Sequence, residues 1–114
     1  MSYEVVITDQ AKKDITRIYS YIFNKLESRI NADAILRRLY TAINDLSFMA
    51  GSHHLYPNEP WHSEGVYYFA VNKQSIFYTV EENKDKTNYD GIATVTHVTN
   101  GNRDLDAVLR EEDS

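Results

Sequence analysis

The chain has 114 residues, of which 42% are hydrophobic and 25% charged, and it contains no cysteine. This composition is typical of one globular domain, which we place over residues 1–114, and it excludes disulfide bonds and thiolate metal sites. The first residues lack the basic cap and apolar core of a signal peptide, and no apolar run approaches membrane-spanning length. We therefore expect a cytoplasmic protein that needs neither a membrane nor a cofactor.

The net charge of −5 is distributed unevenly along the chain. Residues 1–50 carry seven Lys or Arg and six Asp or Glu, which gives +1, whereas residues 51–114 carry five and eleven, which gives −6. A surface that holds a phosphate backbone is normally basic. The C-terminal half is therefore a poor platform for nucleic acid.

A short strand and a helix are predicted first. Residues 3–8 alternate as a strand does, and Thr8 or Asp9 is the expected cap of a helix over residues 9–27. The helix has one apolar stripe, formed by Ala11, Ile15, Ile18, Tyr19, Ile22 and Leu26. The polar residues off this stripe are Lys12, Lys13, Asp14 and Arg17.

A second helix follows after a short break. Asn31 is its expected cap and Gly51 its expected stop, so the helix runs over about residues 31–50. Its apolar positions recur at helical spacing and are Ile35, Leu39, Ala42, Ile43, Leu46 and Met49. The short connection predicts an antiparallel helical hairpin with Arg37 and Arg38 on its polar side.

Three strand-like segments come later, at residues 65–71, 75–82 and 92–98. Consecutive strands favour an antiparallel meander, with residues 75–82 in the middle and paired on both edges. The two-residue period of this middle segment indicates a half-buried strand. Its Ile76 and Tyr78 are expected to pack under the helical hairpin.

The last predicted element is a short helix after the turn at residues 100–102, with Leu105, Val108 and Leu109 as its apolar face. The predicted order is β-α-α-β-β-β-α, in which helices come first and strands follow. That order indicates an α+β fold in which the helical hairpin packs on a mainly antiparallel sheet.

Short motifs occur in a fixed order along nearly the whole chain. They are Tyr3 to Thr8; Ala11, Asp14-Ile15, Ile18 and Tyr21-Ile22; Ala34, Arg38-Leu39, Ala42-Ile43 and Leu46; Gly65; Ile76-Phe77-Tyr78 with Val80; and Val98, Gly101 and Arg103-Asp104. In this order and spacing the chain resembles the RelE/ParE superfamily of toxins from type II toxin–antitoxin modules. The long helical hairpin resembles the ParE branch, which implies a toxin that poisons DNA gyrase. The RelE branch cleaves mRNA on the ribosome.

The chain departs from the superfamily pattern at two positions. The Gly-x-Arg that commonly opens the first strand of the meander is here Gly65-Val66-Tyr67, and Gln74 replaces a frequent tyrosine. In ribonuclease members of the superfamily the arginine is expected to hold a substrate phosphate, and tyrosine does not supply that charge. The departure argues against a nuclease.

Metal-free RNA cleavage needs a base, an acid and a cation. The C-terminal half offers Glu64, Tyr67, Tyr78, His97 and Arg103 for these roles. His97 has the most suitable ordinary pKa, although a half-exposed strand histidine is the simpler interpretation. Arg103 could grip a phosphate, or it could pair with a carboxylate of the acidic half.

Residues 51–64 are expected to form a loop that is long for a structureless connection. The loop contains His53, His54 and His62, which show no fixed metal-ligand spacing, so we predict no metal site. It also contains Trp61. This tryptophan could anchor a partner, or it could pack the loop over the core.

The sequence therefore predicts a ParE-like toxin that binds a DNA topoisomerase and forms a hetero-oligomer with a cognate antitoxin. Two alternatives remain open: a ribosome-dependent mRNA endonuclease, and a degenerate toxin fold that only binds antitoxin or regulates. The expected docking site for an acidic, leucine-rich antitoxin tail is the groove between hairpin and sheet. Its expected partner-binding residues are Arg37, Arg38, Arg17 and Trp61.

Overall fold

The computed structural model describes residues 2–82 and 90–100. The predicted C-terminal helix and Arg103 lie outside these residues, as does segment 83–89. In chain order the elements are β1 (Tyr3–Ile7), α1 (Asp9–Lys25), α2 (Arg29–Met49), β2 (His54–Leu55), β3 (Val66–Val71), β4 (Gln74–Glu82) and β5 (Gly91–Asn100). Helices that pack on a sheet confirm the predicted α+β class.

Both helices begin at a hydroxyl cap. The side chain of Thr8 accepts a hydrogen bond from the backbone N–H of Ala11 at 3.1 Å, which satisfies a donor that the first turn leaves free. The hydroxyl of Ser28 does the same for the N–H of Asn31 at 3.2 Å. The prediction of Asn31 as the cap was therefore wrong, because Ser28 starts α2 at Arg29 and places Asn31 in the first turn.

The five strands form one sheet in the order β1-β5-β4-β3-β2. β4 pairs antiparallel with both β3 and β5, which confirms its predicted place in the middle of the meander. β1 pairs parallel with β5, so the sheet is mixed but mainly antiparallel. The loop predicted at residues 51–64 is not structureless, because His54 and Leu55 pair with β3 as a short edge strand.

The main core lies between the helical hairpin and one face of the sheet. Ile76 and Tyr78 of β4 are fully buried there, as predicted. The buried helix residues in the same cluster include Ile15, Ile18, Ile22, Leu39, Ile43 and Leu46. Ala93, Val95 and Val98 of β5 complete the opposite side of this core.

The second face of the sheet carries a smaller core that the sequence did not predict. Phe77 is only 1% exposed, although the period of two had indicated a half-buried strand. It is covered by Tyr56 from the loop, beside Val66. The middle strand is therefore buried on both faces at its centre, because the loop folds back across the sheet.

The apolar stripe of α1 departs from its prediction at two positions. Asp14, expected off the stripe, is 4% exposed, whereas Leu26, expected on it, is 59% exposed. Asp14 is buried because its carboxylate binds the sheet, accepting a hydrogen bond from the backbone N–H of Val98. Leu26 is exposed because α1 ends at Lys25, so Leu26 is its C-terminal cap.

Candidate functional site

Tyr67 and His97, two of the proposed catalytic residues, lie on opposite faces of the sheet. Tyr67 pairs in register with Tyr78 and packs against the main core, on the helix side. His97 pairs in register with Phe77, which belongs to the core on the other face. Side chains on opposite faces of one sheet are separated by its backbone. The structure therefore does not bring this acid–base pair together.

Among the other proposed catalytic residues, the structure describes Glu64 and Tyr78. Glu64 is exposed and lies in the turn that leads into β3, where its N–H donates to the carbonyl of Pro60 at 3.1 Å. Arg103 lies outside the described residues. Tyr67 stands where the resemblance places an arginine, and its ring stacks on that of Tyr78 with centroids 5.3 Å apart. The position thus holds an aromatic contact in place of a cation.

Tyr78 has a structural role in this arrangement. Its hydroxyl donates a hydrogen bond to the backbone carbonyl of Ala50 at 2.5 Å, which ties the central strand to the end of α2. Burial raises the pKa of the Tyr78 hydroxyl far above its ordinary value of 10.0, and the neighbouring Tyr67 adds to this shift. A hydroxyl that stays protonated and is already bonded is a poor general base.

The three loop histidines are held in different surroundings. The ring of His53 stacks on Phe69 at 4.1 Å and meets the ring of Tyr78 edge-on at 6.1 Å. Burial lowers the pKa of His53 below its ordinary value of 6.5, with a further lowering from the charge of His54. His54 is exposed on β2, and His62 lies 3.7 Å from a carboxylate oxygen of Glu59.

In the part of the chain that the structure describes, no group of three or more His, Cys, Asp or Glu side chains could hold a metal ion.

Trp61 is partly buried and packs against the small core of the second face. Its backbone carbonyl accepts a hydrogen bond from the N–H of Val66 at 3.1 Å, so the loop is fastened where β3 begins.

Arg37 and Arg38, predicted to bind a partner, are both exposed and line one cavity. This outer cavity has a volume of about 410 Å³ and lies between the outward side of α2 and Val71 of β3. It also contains one carboxylate, Asp45. Arg17 lies elsewhere, on α1, where its guanidinium is 3.9 Å from a carboxylate oxygen of Asp14.

A second cavity adjoins the outer cavity and shares Ala34 and Arg38 with it. This tip cavity has a volume of about 710 Å³ and lies where the turn of the helical hairpin meets the β3–β4 turn. Lys73 lines it together with Arg38. Sequence reasoning missed Lys73, because nothing in a polar turn shows that the fold will place it opposite a helix arginine.

A membrane-spanning helix is not found among residues 2–82 and 90–100, since neither helix there is long and apolar enough. No curated protein matches the chain in sequence. Nine chains of solved structures match in fold, among them two from toxin–antitoxin assemblies. The chromosomal ParDE toxin–antitoxin system from P. aeruginosa matches with a TM-score of 0.67 and 16% identity, over 88% of this chain and 97% of that chain.

The second solved structure is the RelBE2 toxin–antitoxin complex from Mycobacterium tuberculosis. It matches with a TM-score of 0.56 and 14% identity, over 88% of this chain and 99% of that chain. At such identities the likeness shows the shared fold. The family model described as the ParE toxin of the type II toxin–antitoxin system, parDE, matches residues 5–100. The chain therefore belongs to the ParE toxin family of type II toxin–antitoxin systems.

Proposed function

We propose that this chain is a cytoplasmic toxin that inhibits growth by binding a DNA topoisomerase, gyrase, and breaks no bond itself. The observation that carries the proposal is the placement of Tyr67 and His97 on opposite faces of the sheet. Acid–base cleavage of RNA requires groups that converge on one phosphate. Membership of the ParE family supports the same choice.

A cognate antitoxin is the proposed protein partner. The P. aeruginosa and M. tuberculosis structures that match this fold are both toxin–antitoxin assemblies. The surface proposed for the antitoxin is the groove beside α2, where Arg37 and Arg38 line the outer cavity. An antitoxin tail that is acidic and leucine-rich would place carboxylates on these guanidinium groups and apolar side chains in the groove.

The purified protein tests the target directly. In a plasmid supercoiling assay we expect inhibition of gyrase, and we expect the purified antitoxin to reverse it. In a reconstituted translation reaction, primer extension should show no cut that depends on the toxin. Reproducible cuts in the ribosomal A site that disappear in His97→Ala would overturn the proposal and favour the RelE-like endonuclease.

The two assays also test the second alternative. A chain that binds antitoxin but inhibits neither gyrase nor translation would be a degenerate toxin that serves only as a binding or regulatory module.

Lys12→Glu is a suitable control variant for both assays, because Lys12 is exposed on α1 and does not line either cavity. Its behaviour should match that of the wild-type protein in both assays.

A further inference from the structure

The tip cavity combines positive charge with amides in a way that favours an anion. Among the described residues that line it, Arg38 and Lys73 are charged and no carboxylate occurs, although the whole chain has a net charge of −5. The outer cavity differs, because Asp45 lies beside its arginines. The described lining of the tip cavity therefore carries two positive charges in an acidic chain, an arrangement that attracts carboxylates.

The same cavity has an apolar side that the fold leaves in solvent. Tyr21 is 48% exposed and Leu26 is 59% exposed, and both line the cavity. Ile30 does not line the cavity, but it precedes the lining residue Asn31 and is 82% exposed, more than any other large hydrophobic side chain in the described residues. Apolar groups held in water next to a cavity are typical of a surface that another protein covers.

Two features hold the polar side of the cavity in place before any partner arrives. The side-chain amide of Gln74 donates a hydrogen bond to the side-chain oxygen of Asn100 at 2.9 Å, and Gln74 is only 3% exposed. Asn72 has a φ of 56°, in the left-handed region that tight turns use, and it positions Lys73 next to it. Such preorganisation lowers the entropy lost on binding.

We propose that the tip cavity is the anchoring pocket for the antitoxin, and that it takes an apolar side chain of the antitoxin next to a carboxylate. This inference rests on the proposed function, since it names the chemistry of the same partner. The carboxylate binds between Arg38 and Lys73, and the apolar side chain contacts Tyr21 and Leu26. A peptide fits better than a free phosphate, because a phosphate would leave Tyr21 and Leu26 uncovered.

A blocked dipeptide tests the pocket without the antitoxin. The probe is N-acetyl-Leu-Asp-amide, titrated into the full-length ¹⁵N-labelled protein, with N-acetyl-Leu-Asn-amide as its neutral isostere. We expect amide shifts around Arg38 and Lys73, and affinity for the aspartate probe that is several-fold higher. Equal affinity for the two probes, or shifts centred elsewhere, would overturn the proposal. So would inorganic phosphate that binds as well as the aspartate probe.

Matched variants assign the effect to the cavity. In Arg38→Gln/Lys73→Gln the preference for the aspartate probe should disappear. In Lys12→Gln/Lys13→Gln, which removes the same charge from the exposed side of α1, the preference should remain. A preference that survives the first double variant would contradict the pocket. Both variants change exposed side chains, and the amide spectrum itself shows that they are folded.

Binding of the purified antitoxin distinguishes a failure of the proposed pocket from a failure of the proposed function. Dissociation from Arg38→Gln/Lys73→Gln should be faster by about tenfold, because removing charges that are desolvated in a complex acts mainly on the dissociation rate. If the antitoxin binds the wild-type chain and this variant with the same lifetime, the pocket is wrong while the proposed function stands. If no antitoxin binds but the dipeptide preference holds, the partner assignment is wrong while the anion pocket stands.

Discussion

The carboxylate of Asp14 on α1 accepts a hydrogen bond from the backbone N–H of Val98 on β5 at 3.0 Å. Its other oxygen accepts one from the side-chain amide of Gln10 at 2.9 Å. The contact fastens the first helix to β5, whose pairing with β4 shifts register between Phe77 and Tyr78. A helix side chain thus satisfies a buried backbone donor where the sheet is irregular.

Asp14→Ala should lower the free energy of unfolding by about 1–3 kcal/mol, the usual effect of leaving a buried donor unpaired. Urea denaturation followed by circular dichroism measures this change. Asp9→Ala is a control on the same helix, because Asp9 is exposed in the first turn. An Asp14 variant as stable as the wild-type protein would show that the N–H of Val98 finds another partner.

Tyr78→Phe removes a hydroxyl but keeps the buried ring. Because the carbonyl of Ala50 then loses the hydrogen bond that Tyr78 donates, we expect a loss of about 1–2 kcal/mol in the free energy of unfolding. Tyr40→Phe, on the exposed side of α2, should change it by less than about 0.5 kcal/mol. Equal effects of the two changes would mean that the Tyr78 hydrogen bond adds nothing to stability.

Ile76→Ala tests which face of β4 carries the main core. Ile76 is 0% exposed, so the truncation should cost about 2–5 kcal/mol in the free energy of unfolding. Val6→Ala is the control, because Val6 is 39% exposed and should cost well under about 1 kcal/mol. A change within error of zero at Ile76 would contradict the observed packing under the hairpin.

His53 should make stability depend on pH in the mildly acidic range. Its pKa is lowered by burial from the ordinary 6.5, so the unfolded chain binds this proton more readily than the folded one. The free energy of unfolding should therefore fall as the pH drops below about 6.5, until His53 is protonated in the folded state too.

The variant His53→Phe keeps an aromatic ring for Phe69 and has no proton to bind. The difference in unfolding free energy between wild type and variant should vary between pH 7.5 and pH 5, as denaturation at several pH values will measure. His54→Gln should have a smaller effect, because it removes only the part of the lowering of the His53 pKa that comes from the charge of His54. A constant difference between wild type and His53→Phe across this range would contradict the assignment.

The helices, the meander and the main core follow from periodicity, because one face of each element meets one face of the next. Ile76 and Tyr78 could be placed in the main core from this periodicity. The buried Asp14 and the small core around Phe77 depend on contacts between residues far apart in the chain. Asp14 meets a backbone donor on β5, and Phe77 is covered by a loop whose composition predicted no regular structure. Neither contact produces a periodic pattern in the sequence, so neither could be predicted from it.

The candidate site likewise contains some residues that the sequence could place and others that it could not. Arg37 and Arg38 could be placed on the outer side of α2 from helical spacing alone, and the structure finds both lining one cavity. Lys73 reaches the neighbouring tip cavity only because the β3–β4 turn folds against the start of α2. The separation of Tyr67 from His97 requires the strand register, which a sequence without its pairing partners does not give.

Arg37 and Arg38 are expected to steer the antitoxin towards the outer cavity. Arg37→Glu/Arg38→Glu reverses two exposed charges beside the outer cavity. Reversing charges also weakens the attraction that steers the encounter, so the association rate with an acidic antitoxin should fall about tenfold at low salt, in addition to the faster dissociation expected from the loss of Arg38. The association rate should also depend less steeply on salt concentration, because less attraction remains for ions to screen.

Stopped-flow association at two ionic strengths measures both effects, and Lys12→Glu/Lys13→Glu provides the same change in net charge on the exposed side of α1. If the arginines only solvate the outer face of α2, the two double variants should behave alike, since only the overall charge has changed. If the arginines form part of the docking surface, Arg37→Glu/Arg38→Glu should slow association much more than its control. An association rate unchanged at both ionic strengths would remove this face from the interface and direct the search to the acidic sheet half.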